Sequence, residues 1–67
     1  MWTVVYMAQS REIAAELEKL LTEEGILVKK RPVSKDKEKE NGNEYCEILV
    51  PESEIEEAHS VIIEKGF

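Results

Sequence analysis

The stretch from Ser10 to Ile26 constrains this chain most, because it carries the start, the apolar face and the stop of one helix. The Ser10 hydroxyl can accept from the unpaired amides of a first turn. Ile13, Ala14, Leu17, Leu20, Leu21 and Glu24 recur at three- and four-residue spacing, while Glu12, Glu16, Glu18, Lys19 and Glu23 hold the opposite arc. Gly25 offers the left-handed position after the last turn, and Ile26 can fold back on Leu21. The pattern predicts an amphipathic helix over residues 10–24. Its stripe needs a surface to cover it.

A similar punctuation closes the chain. Ser53 and Glu56 match the S-x-x-E capping box. Ile55, Ala58, Val61 and Ile62 supply a second stripe, Gly66 a second stop, and Phe67 is placed to cover Ile62, which predicts an ordered C-terminus.

Three strand-like segments supply the covering surface. Trp2 to Met7 is β-branched and aromatic, with Trp2, Val4 and Tyr6 expected on one face and Thr3, Val5 and Met7 on the other. Ile26 to Val33 reads as the second strand, and Pro32 argues for an edge or a strand end. Glu44 to Val50 is the third, with Cys46, Ile48 and Val50 on one face, Tyr45, Glu47 and Leu49 on the other, and Pro51 as terminator. Between the last two, residues 34–43 form a charged tract without an apolar anchor, expected to be a flexible hairpin loop reversing at Asn41-Gly42.

The order is βαββα. It predicts an α+β fold, a single small domain over 1–67, with a three-stranded sheet in order 1-3-2 and two helices on one face. This is a truncated ferredoxin-like unit, βαββαβ without its final strand. The missing strand leaves strand one with an unpaired edge where another chain can add.

Size and charge narrow the function. A chain of 67 residues buries only about 60% of the surface its unfolded state exposes, so a partner or a second copy would help it. Fifteen acidic residues against nine basic ones give a net charge of −6, the opposite of what a duplex nucleic-acid binder needs. The single Cys46 cannot form an internal disulfide, which points to a cytoplasmic rather than a secreted protein. No apolar run approaches the ~20 residues of a membrane span. The opening residues lack the basic region of a signal peptide.

Several stretches carry a resemblance. The opening strand Trp2–Met7, the helix with Ala14, Leu17, Leu20 and Leu21, the Glu24-Gly25-Ile26 turn, and the Ile48-Leu49-Val50-Pro51-Glu52 run before a Glu-Ala-containing helix cover nearly the whole chain. Together they resemble a family of small bacterial domains described as prokaryotic signal-transducing proteins, a ferredoxin-like, PII-like half. The charged tract 34–43 departs from the family's usual pattern. The resemblance implies a regulatory module and no catalytic residues. Similar short chains also carry the name glutamate decarboxylase. A pyridoxal enzyme needs a Schiff-base lysine in a large pocket, so no such cofactor is expected here.

Few of the remaining side chains suggest chemistry. Cys46 shares the apolar face of strand three and reads as a core residue; His59, at the boundary of the second stripe, reads as a surface residue. Glu52, Glu54, Glu56 and Glu57 complement the positive end of the second helix, and no metal site is expected. Six of the nine basic residues, Lys29, Lys30, Arg31, Lys35, Lys37 and Lys39, fall between positions 29 and 39. That cluster is either a solvated loop or a contact for an anionic partner. The leading expectation is a non-enzymatic intracellular binding or regulatory module. It would use the strand-one edge (Trp2, Val4, Tyr6) and a cationic hairpin (Lys29, Lys30, Arg31) to engage a protein partner or a second copy. The alternative is a small-anion or nucleotide sensor holding its ligand at Ser10 and Arg11, where helix-start amides point outward. RNA binding and enzymatic activity are disfavoured.

Overall fold

The computed structural model describes residues 1–33 and 45–67. The expected hairpin loop 34–43, with its Asn41-Gly42 reversal and with Lys35, Lys37 and Lys39, lies outside the described residues. Strand β1 spans Trp2–Ala8, helix α1 Arg11–Glu23, strand β2 Lys29–Val33 and strand β3 Tyr45–Pro51. A 3₁₀ turn over Glu52–Glu54 then leads into helix α2, Ile55–Glu64. The sheet order is β1-β3-β2. Both edge strands run antiparallel to β3 and hence parallel to each other, so β1, α1 and β2 form a split βαβ unit around the central strand.

Local chemistry sets the ends of both helices. Ser10 Oγ accepts from the Ile13 amide at 3.1 Å. At the other end, Gly25 takes φ +83°. Its amide donates to the Thr22 carbonyl at 2.9 Å and the Ile26 amide to that of Leu21 at 3.1 Å, the paired bonds of a Schellman stop. Gly66, φ +87°, repeats the device. Its amide reaches Ile63 at 3.1 Å and that of Phe67 reaches Ile62 at 3.0 Å. Phe67 then packs edge-on against Tyr6, ring centroids 6.1 Å apart. The C-terminus is held.

Both helices lie on one face of the sheet. Ala14, Leu17 and Leu21 of α1 and Ala58, Val61 and Ile62 of α2 share one core with Ala8, Ile26, Cys46, Ile48 and Val50. Val5, Tyr6, Ile13, Val28 and Ile55 pack around it.

Three expectations change. β2 begins at Lys29, not Ile26: Ile26 is committed to the Schellman turn, and the Leu27 amide donates to the Glu54 carboxylate at 3.2 Å. Ser53 does not cap α2. It sits inside the 3₁₀ turn, which the Ile55 amide closes onto the Glu52 carbonyl, and no side chain caps the helix. The third change is on β1. Its register slips between Val4 and Tyr6, so an extra residue enters and the in-out alternation reverses. Tyr6 turns to the helix side with Val5, whereas Met7, expected with Thr3, pairs with Glu47 on the opposite face.

Candidate functional site

The face of the sheet away from the helices carries no second layer among the described residues. Register places Trp2, Val4 and Met7 of β1 there with Tyr45, Glu47, Leu49 and Pro51 of β3 and Lys29, Arg31 and Val33 of β2. Trp2, Val4, Met7 and Tyr45 are each 40–46% exposed, a concentration of large apolar side chains that a lone surface residue does not produce.

Leu49 breaks the pattern. It sits on this bare face yet is only 4% exposed, and it stands apart from the helix-side core. Its cross-strand neighbours are Val4 and Lys29. The Lys29 ammonium lies 4.8 Å from the centroid of the Trp2 ring. Trp2 and Lys29 belong to opposite edge strands, so their contact arches over β3 and accounts for the burial of Leu49. Beside this arch, Arg31 Nη2 and Nε meet one oxygen of Glu47 at 2.6 and 2.7 Å. The face is an apolar patch with one stacked cation and one internal ion pair.

The three basic residues expected to act together do not share a surface. Lys29 and Arg31 point to the outer face. Lys30, between them, points to the helix side and bridges Glu18 of α1 at 3.1 Å. Alternation along a strand predicts this split; reading the three as one charge cluster obscured it. Tyr45, Glu47 and Leu49 share the outer face as the alternation along β3 predicts; Met7 joins them against expectation, because no glycine or proline marks the bulge in β1.

On the helix side, a cavity of about 350 Å³ is lined by Arg11 and Ala14 of α1, Lys30 and Pro32 of β2, and Tyr45 and Cys46 of β3. Arg11 therefore shares the cavity wall with Lys30, while Ser10, its expected partner, is occupied as a helix cap. Cys46 is 5% exposed, with Sγ 4.0 Å from the Glu47 carbonyl. His59 lies on the exposed side of α2, and no hydrogen bond joins it to Cys46. Among the described residues no group of three His, Cys, Asp or Glu side chains converges as a metal site, and no helix is long and apolar enough to cross a membrane. No family model, curated protein or solved structure matches the chain.

Proposed function

We propose that the protein is a non-enzymatic cytoplasmic binding module that acts by protein–protein contact through its outer sheet face and the adjoining β1 edge, and that the partner is a second copy of the chain. The observation that carries this reading is the exposure of Trp2, Val4, Met7 and Tyr45 on one uncovered face. The open face of a two-layer antiparallel domain is ordinarily polar and solvated, so large apolar side chains clustered on it support a contact surface. Selection of an acidic partner by Lys29, Lys30 and Arg31 loses support. Lys30 lies on the other side, and Arg31 is neutralised by Glu47. A surface that is apolar and carries both signs fits its own copy, since a two-fold axis lets each Arg31 meet the other Glu47.

The size of the patch sets the strength. Strands of seven, seven and five residues, at about 3.3 Å per residue and 4.8 Å between strands, outline roughly 300 Å². Stable complexes bury about 800 Å² per partner. The contact is therefore weak and concentration-dependent, suited to a regulatory module. The order of elements and the Glu24-Gly25-Ile26 turn support placing the chain with the small signal-transducing domains it resembles, as part of the same proposal. Amide shifts followed over rising protein concentration test the reading. Shifts confined to β1, Leu49 and Tyr45 are expected. Concentration-independent spectra, or shifts centred on the helices, would contradict it.

A further inference from the structure

We infer that Lys29 regulates the outer-face contact: its ammonium, strapped across the apolar patch to the Trp2 ring, holds a second copy off until the strap swings aside. The inference rests on the outer-face reading and adds its regulation. Lys29 and Trp2 stand on opposite edge strands, with the ammonium 4.8 Å from the ring centroid. Leu49 is the cross-strand neighbour of Lys29 on the strand between them. It is 4% exposed, against 40–46% for Trp2, Val4, Met7 and Tyr45. The strap thus carries a full positive charge over the middle of the patch instead of leaving it at the rim.

Charge at that position opposes contact. An ammonium is strongly hydrated, and burying it unpaired is costly. The centres of protein interfaces are accordingly depleted of lysine. Arg31 raises no such barrier, because Glu47 accompanies it at 2.6 Å. The Lys29 stem is flexible and its strand lies at an exposed edge, so the head can return to water. Stacking on Trp2 holds it back, by a factor of about two to five at an exposed site. In a two-fold contact each copy releases one strap, and the factor applies twice.

The test compares self-association of the wild type, Lys29→Gln, Lys29→Arg and Trp2→Ala at moderate salt, from amide shifts of the isotope-labelled chain over rising concentration. Lys29→Gln should tighten the contact about fivefold to thirtyfold, although it removes a positive charge from a chain that already carries −6. Lys29→Arg keeps the cation and the ring contact, and should associate like the wild type. Trp2→Ala uncovers Leu49 but leaves the ammonium, and should not tighten. In the wild type, the Lys29 side-chain protons, shielded by the chain's one tryptophan, should move toward free-lysine shifts as the dimer forms. If the wild type associates and Lys29→Gln associates equally or more weakly, the inference is overturned and the outer-face reading stands. Lysine shifts that stay shielded in the dimer would overturn it in the same way. Tightening by Trp2→Ala would also overturn it, because exposed apolar surface rather than charge would then govern the contact. Concentration-independent spectra for the wild type and Lys29→Gln alike would overturn both.

Discussion

The two faces of the sheet are built from alternate residues of the same three strands, yet they meet different fates. On the inner face, Ile48 and Val50 are fully buried under Leu17, Leu21, Ala58 and Ile62. On the outer face, Leu49 lies between them in sequence and is covered only by its own neighbours and the Trp2–Lys29 arch. The inner face holds the fold together. The outer face has no second layer over it among the described residues, and the Trp2–Lys29 arch limits its exposure at Leu49.

Substitutions on the two sides should separate these roles. Ile48→Ala empties a fully buried site on the inner face and should cost about 2–5 kcal/mol. That is a large part of the few to roughly ten kcal/mol expected for a domain of this size, and chemical denaturation will read it. Trp2→Ala removes the arch and uncovers Leu49. It should cost about 1–2 kcal/mol by lost stacking and area, and equal destabilisation by the two substitutions would erase the distinction between the faces. Gly25→Ala meets no atom within 4 Å of the added carbon, so its expected cost of about 1–2 kcal/mol is backbone strain alone. Ser10→Ala, losing the bond to Ile13, should cost about 1 kcal/mol. Arg31→Ala breaks an outer-face pair whose arginine is 61% exposed. It should change stability by less than about 1 kcal/mol while weakening association.

The parts of the fold legible in the sequence are those fixed by contacts close along the chain. Ser10, Gly25 and Gly66 act within a turn of where they stand, and Phe67 follows from Gly66. Ser53 shows the limit. Its capping box is complete in sequence, but Pro51 and the Glu52–Glu54 turn set a different entry to α2, and the Glu54 carboxylate serves the distant Leu27 amide instead. The β1 bulge was equally hidden, since Val5 resembles any other strand residue. It alone moves Tyr6 from the outer face to Phe67. The cavity was only half legible: Arg11 stood out at the helix start, but Lys30 shares its wall because β2 packs beside α1.

Sedimentation equilibrium of the wild-type chain and of Val4→Lys, at low and moderate salt, tests the outer-face contact most directly. Two copies each carrying −6 repel over distances that salt screens. The wild type should therefore form a weak dimer that strengthens as salt rises, and Val4→Lys should remain monomeric while folded. A wild-type chain that is monomeric up to about 1 mM, a dissociation constant worth only about 4 kcal/mol, would contradict the homotypic contact, and so would a dimer that Val4→Lys leaves intact.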